Sequence, residues 1–186
     1  MECKTFQFDP TLYEGRPLDE ANRSAREIRT YDFLAQLGIP FSRVDHDPAA
    51  TIADCEKIDG FLGVAMCKNL FLCNAQKTAF YLLMLPGEKV FHTKDLSKQI
   101  NSARLSFADA TYMQEFLDIL PGAVSVLGLM NDREQRVRLL VDTDLLADEN
   151  IGCHPCVNTT SLCIKRQDLM EKFLPATGHT ATFVTL

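Results

Sequence analysis

Two short apolar runs, Leu70–Cys73 and Ala79–Leu85, flank the polar stretch Asn74-Ala75-Gln76-Lys77. Runs of this length fit buried strands, and the polar connector fits a turn, so Cys67–Cys73 and Ala79–Leu85 read as a β-hairpin. No run approaches the roughly 18 apolar residues that a membrane-spanning helix needs. The chain must therefore bury its strands against its own elements. At 186 residues, with 46% apolar and 24% charged residues, it has the length for one domain and the hydrophobic content for a core. Disorder needs lower hydrophobicity and higher net charge.

The remaining segments fill in around the hairpin. Ala25, Ile28, Tyr31, Leu34 and Leu37 recur at three-residue steps, which predicts a helix over Glu20–Leu37, stopped by Gly38 before Pro40. Phe41–Asp45 reads as a strand ended by Asp47-Pro48, and Thr51–Asp59 as a short helix closed by Gly60. Pro86-Gly87 turns the chain. Helices are expected over Lys94–Ile100 and Thr111–Leu120, the latter stopped by Pro121-Gly122. Strands are expected at Ala123–Val126, Val137–Asp142 and Asn158–Ile164, and a last helix over Gln167–Phe173, before Pro175. Residues 1–20 mix Pro, Gly and charges and read as an N-terminal extension; residues 21–186 form the domain. Irregular alternation with a hairpin predicts a single α+β domain, a mixed, largely antiparallel sheet flanked by helices.

Charge limits the partners. Nineteen basic against twenty-five acidic residues give −6 and a pI near 5.2, which disfavours nonspecific adhesion to nucleic acid. DNA and membranes are not expected partners, and any RNA contact must be focused on a local basic patch. Met1-Glu2-Cys3-Lys4 lacks the apolar core of a signal peptide, so the expected location is cytoplasmic. Seven cysteines (3, 55, 67, 73, 153, 156 and 163), an odd number, then read as reduced thiols, most of them small buried hydrophobes.

Among motifs, Cys153-His154-Pro155-Cys156 offers two thiols and an imidazole. A closed zinc site would need a fourth ligand, and a second CxxC is absent; Cys163 and Cys67 qualify only if the fold brings them close. A redox CxxC would be expected to open a helix, whereas a β-rich run follows here. No metal and no cofactor are assigned. GxxxxGK[ST], GxGxxG, HExxH and GxSxG are all missing. His46, His92 and His179 read as structural or surface residues. Lys68 stands out, because on a strand it shares a face with Leu70 and Leu72. A lysine there must reach a counter-charge or a cleft. An edge-strand charge or a snorkelling stem fits the pattern equally well.

Lys68-Asn69-Leu70-Phe71-Leu72, Pro121-Gly122-Ala123-Val124-Ser125 leading to Gly128-Leu129, Gly152-Cys153-His154-Pro155 and Asn158-Thr159 together resemble the YbaK/ProX family of aminoacyl-tRNA deacylases. The likeness spans about residues 25–175 and is strongest to free-standing prolyl-tRNA editing proteins of the ProXp-ala (PrdX-like) type. It implies the fold of the editing domain of prolyl-tRNA synthetases. It places the family's lysine on Lys68 and its GxHP loop on Gly152, Cys153, His154 and Pro155, with a glycine-rich loop at Gly122 to Gly128 lining the site. The candidate catalytic residues are then Lys68, Gly152 and His154, and the candidate substrate-binding residues Asn69, Phe71, Gly128, Cys153, Pro155 and Asn158.

The implied reaction suits these residue types. An aminoacyl-tRNA is a reactive ester with a vicinal ribose hydroxyl, so hydrolysis needs positioned water and oxyanion stabilisation more than a strong protein nucleophile. Lys68 can hold the anionic 3′ end or the ribose as a point charge, and backbone N–H groups at Gly152-Cys153-His154 can face the oxyanion. The resemblance implies that the ribose hydroxyl helps to activate water. The expected partner is the acceptor end of tRNA(Pro), with a prolyl-tRNA synthetase or an elongation factor as further candidates. Arg133, Arg136, Arg138, Lys165 and Arg166 are offered as a basic rim, and Phe71, Leu72, Val124, Val126 and Leu127 as an apolar wall that admits alanine and excludes proline. The expected activity is trans-editing of Ala-tRNA(Pro). The alternatives are a Cys-tRNA(Pro) deacylase, a non-catalytic tRNA- or synthetase-binding module, and a zinc or redox protein.

Overall fold

In the computed structural model, the structure describes residues 6–49 and 51–186, so Cys3 and the Met1–Lys4 stretch lie outside it. The hairpin forms as expected, with β3 (Lys68–Asn74) antiparallel to β4 (Phe80–Leu85) and Leu70 opposite Leu83. β4 is buried along its whole length because it is flanked on both sides. Beyond it, β6 (Val137–Asp142) and β9 (Ala181–Val184) add parallel neighbours, and β5 (Leu105–Phe107) pairs antiparallel with the end of β3. A second, wholly antiparallel sheet has the order β1 (Tyr13–Glu14), β2 (Phe41–Asp45), β8 (Thr160–Lys165), β7 (Asn150–Cys153). The α+β class stands, with its strands divided between two sheets.

Alternation along β3 builds two cores. Phe71 and Cys73 face the larger one, with Phe80, Leu82 and Met84 of β4 and Leu162 and Ile164 of β8. Helix α1 (Ala25–Gln36) adds Tyr31 and Leu34 there, and α4 (Ala110–Leu117) adds Phe116. Leu72 faces the other way, into a smaller core with Leu83, Leu85 and Leu96 of α3 (Thr93–Gln99). Helix α2 (Ile52–Leu62) packs on β2 and β8.

Several elements depart from expectation. Helix α1 starts at Ala25, not Glu20, because Ser24 is extended and its hydroxyl accepts the Glu27 N–H as an N-cap. Helix α2 runs on past Gly60 to Leu62 and stops at Gly63, which takes the left-handed conformation at φ 74°. Ala123–Val126 is not a strand. Ser125 caps a 3₁₀ helix over Val126–Asn131, whose Gly128 lies where a Cβ would come 2.4 Å from Ile119 Cδ1. The last helix continues through Pro175 to Thr177, with a π-helical stretch at Leu169–Phe173 before it. That stretch already departs from i→i−4 pairing, so the missing proline N–H costs little there. The described part of the 1–20 segment supplies edge strand β1, and Gly15 N–H donates to the Phe41 carbonyl.

Candidate active site

The two sheets meet at the residues just before β3. Met66 forms a parallel bridge with Gly152 of β7, and Cys67 N–H donates to the Gly152 carbonyl at 3.1 Å. Only glycine permits this approach. A Cβ at position 152 would lie 2.8 Å from the Ala65 carbonyl oxygen and 3.0 Å from Met66 Cα. From the other side Gly87 presses on the same segment, where a Cβ would lie 2.7 Å from the Met66 carbonyl oxygen. The peptide leading into Lys68 is thus gripped between two glycines, and Gly152 sits in a strand where a loop was expected.

Lys68 is half-buried at the start of β3, and its Nζ donates to the Lys89 carbonyl at 3.0 Å. Among the described residues no carboxylate pairs with it. Its cationic charge is therefore offered to something else. The Lys89 side chain is itself held by Asp142, at 2.8 and 2.9 Å, and by Asp144, at 2.7 Å, which fixes the turn whose carbonyl receives Lys68. Next along the strand, Asn69 Nδ2 donates to the Cys67 carbonyl at 3.2 Å, while its Oδ1 is buried with no hydrogen-bond partner among the described residues. A buried orphan acceptor costs about 1–3 kcal/mol and calls for a donor, from an ordered water or from a ligand.

His154 follows β7. Its Nδ1 lies 2.9 Å from the Thr160 carbonyl, so Nδ1 carries the proton and Nε2 keeps its lone pair. Burial, the dominant cause, together with His46 nearby lowers its pKa to about 4, so the ring is neutral at pH 7. Thr160 is firmly placed. Its hydroxyl lies 3.0 Å from buried Glu27, 3.1 Å from Asp45 and 3.1 Å from Arg23. Burial pushes the Asp45 carboxyl up, but hydrogen bonds and charge from Arg23 and Arg43 outweigh it and hold the pKa at about 2. The Pro155 carbonyl faces the Thr30 hydroxyl at 3.4 Å. Asn158 brings in the turn before the 3₁₀ helix, since a Cβ at Gly122 would lie 3.4 Å from its Nδ2.

The fold thus joins the Lys68-Asn69 segment to Gly152 and His154, and Gly122 to Asn158. It does not bring in every expected residue. Phe71 is 2% exposed, packed against Phe80 and Phe116. Leu72, Val126 and Leu127 are fully buried, which leaves Val124 alone of the expected wall with accessible surface. Gly128 is buried against Ile119 and Leu117. Its glycine serves close packing. Of the expected rim, Arg136 is engaged by Glu115 and stacks on Phe116, and Arg166 donates to the Asp148 carbonyl.

The Cys153–Cys156 pair turns inward. Both thiols are buried, and burial pushes Cys156 up to about 12 and Cys153 well above its ordinary value. Cys67 rises to about 11 for the same reason. Protonated thiols of this kind are poor nucleophiles and poor ligands. Among the described residues no group of three or more His, Cys, Asp or Glu side chains converges as a metal site would require. A cleft of about 660 Å³ lies elsewhere, between α1, residues 129–135 and residues 175–178.

Sequence reasoning missed Gly87, Lys89 and Asp142, which act across long separations. Only the Pro86-Gly87 turn hinted at the first.

Comparison with known proteins matches these features to one family. The aminoacyl-tRNA editing domain matches residues 46–172. A prolyl-tRNA editing protein ProX of Acetoanaerobium sticklandii is 33% identical over 153 residues, covering 82% of this chain and 93% of its own. A prolyl-tRNA synthetase associated domain-containing protein 1 of Mus musculus is 31% identical over 150 residues, covering 78% and 88%. A solved structure described as a proposed trans-editing enzyme for prolyl tRNA synthetase shares the fold, with a TM-score of 0.64 at 15% identity, covering 88% of this chain and 98% of its own. Among the described residues no helix is long and apolar enough to cross a membrane. The chain belongs to the aminoacyl-tRNA editing domain family and is an aminoacyl-tRNA deacylase.

Proposed function

We propose that the protein clears mischarged tRNA(Pro) in trans, with Ala-tRNA(Pro) as its principal substrate, in the cytoplasm. The observation that carries this reading is the junction at Met66 and Gly152. On successive residues of a strand bridged to the His154 segment, it carries an ammonium, Lys68, and a buried acceptor, Asn69 Oδ1, neither of which finds a counter-ion or donor among the described residues. The likeness to prolyl-tRNA editing proteins supports the choice of tRNA. The acceptor end is the part recognised, through phosphate contacts and local shape. A prolyl-tRNA synthetase or an elongation factor would deliver it.

Water attacks the ester carbonyl, the tetrahedral oxyanion collapses, and the bond to the ribose oxygen breaks, releasing the amino acid and a free ribose hydroxyl. Lys68 holds the anionic 3′ end close to the carbonyl. Asn69 Oδ1 accepts from a substrate donor, either the α-ammonium group or a ribose hydroxyl. Close packing at Gly152 keeps the two segments at a fixed separation, which is how orientation lowers the barrier. Size sets the substrate. A synthetase site built for proline rejects alanine by only about 1–3 kcal/mol, while a narrower second site admits the methyl group and excludes the pyrrolidine ring.

The test is hydrolysis of tRNA(Pro) charged separately with alanine, serine, cysteine and proline. We expect alanine to be removed fastest, serine more slowly, and proline to be spared. Faster removal of cysteine would shift the substrate within the family. Rapid removal of proline would overturn the sieve.

A further inference from the structure

His46 and Ser161 lie beneath His154, and neither was expected to take part in function. His46 directly follows β2 and is 7% exposed; Ser161, in β8, is fully buried. His46 Nδ1 lies 2.8 Å from the Asp47 carbonyl, and its Nε2 lies 2.9 Å from Ser161 Oγ. Ser161 Oγ in turn lies 3.5 Å from His154 Nδ1, which is 2.9 Å from the Thr160 carbonyl. The two imidazoles are 6.2 Å apart, centroid to centroid, and tilted by 55°.

Only one assignment of protons satisfies this chain. A carbonyl can only accept, so His46 Nδ1 must donate to Asp47, which leaves His46 Nε2 a bare acceptor. Ser161 then donates its single proton to that nitrogen and turns a lone pair toward His154. His154 Nδ1–H therefore meets acceptors on both sides, Thr160 O and Ser161 Oγ. If His46 Nε2 carried a proton, the serine hydroxyl would have to rotate and present its own proton to His154 Nδ1, against the proton already there. Burial lowers the pKa of His46, so the chain rests in the first arrangement at neutral pH.

We propose that His46 and Ser161 are positioning residues that fix the orientation of the His154 ring, whose Nδ1-protonated tautomer the Thr160 carbonyl sets, with Nε2 kept as an acceptor for a substrate or water proton. This rests on the reading above that the His154 segment belongs to the deacylation site. The relay adds direction to the Thr160 contact. The carbonyl fixes which nitrogen carries the proton, and the Ser161 hydroxyl, itself held by His46, adds a second contact that restricts rotation of the ring.

The experiment combines ¹⁵N-resolved NMR of the histidine side chains with kcat and KM on Ala-tRNA(Pro), for wild type, His46→Leu, His46→Gln and Ser161→Ala. Thermal unfolding confirms that each variant is folded. His46→Leu and Ser161→Ala should shift and broaden the His154 side-chain resonances while Nδ1 stays protonated, and lower kcat about five- to tenfold, with KM changed less than twofold. His46→Gln places an amide oxygen near the Nε2 position and should restore both the wild-type His154 spectrum and most of kcat. The inference is overturned if folded His46→Leu and Ser161→Ala keep the wild-type His154 spectrum, or if the spectrum shifts while kcat does not. The NMR readout needs no substrate. A wild type that deacylates no tRNA(Pro) but shows the relay in its spectra would therefore sink the functional reading and not the relay.

Discussion

Two regions of this molecule invite opposite conclusions. The cleft between α1, residues 129–135 and residues 175–178 has a volume of about 660 Å³. Its most buried charge is already satisfied: Asp132 accepts from His179 at 3.1 Å and from the backbone N–H groups of Arg136 and Val137. The junction at Met66 and Gly152 is a close backbone approach. Among the described residues it holds an ammonium without a counter-ion, a buried acceptor without a donor, and a half-buried, neutral imidazole. Volume measures what could fit, whereas unsatisfied groups measure what is missing.

Putting bulk into the junction should have the largest effect. Gly152→Val must displace Ala65 and Met66 backbone, so deacylation should fall more than a hundredfold and the melting temperature should drop, as overpacking costs about 1–3 kcal/mol. Near-normal stability and turnover in this variant would break the contrast at once. A subtler change is Asn69→Leu. Removing an unpaired buried acceptor should leave the melting temperature unchanged or higher while activity falls about tenfold, a trade between stability and function. A loss of both together would make Asn69 structural only.

Acidity tests the junction in another way. His46 and His154 are held neutral by burial, below the ordinary value of 6.5. The unfolded chain therefore binds more protons than the folded one below about pH 6.5, and stability must fall as pH drops from there toward about 4. Urea midpoints at pH 7.5 and pH 5 read this directly, and His154→Gln should flatten the slope. The smallest effect belongs to the cleft. Gln36→Trp fills part of it from α1 and should leave turnover on Ala-tRNA(Pro) within about twofold; a larger loss would move function toward the cleft.

How much of this was legible in the sequence depends on distance along the chain. β2 and β6 were read to the residue because strong apolar patterns and turn signals bound them. β5, β7 and β9 were missed, being short edge strands of three or four residues that pairing defines more than composition does. Ala123–Val126 looked like a strand because a short apolar run has no period of its own; the close contact of Gly128 with Ile119 settled it as the approach to a 3₁₀ helix. Lys68, Gly152 and His154 were picked out by local motifs. Gly87, Lys89, Ser161 and the role of His46 were not, since each matters through a partner distant in sequence or through a backbone approach that no motif encodes.

The central claim is that the Lys68 ammonium serves the ester and not the fold. Single-turnover hydrolysis of Ala-tRNA(Pro) by Lys68→Ala, with its melting temperature measured in parallel, tests this most directly. The expected result is an unchanged melting temperature and a rate reduced at least tenfold, about 1.4 kcal/mol of transition-state stabilisation. A folded Lys68→Ala protein that hydrolyses Ala-tRNA(Pro) at the wild-type rate would contradict it.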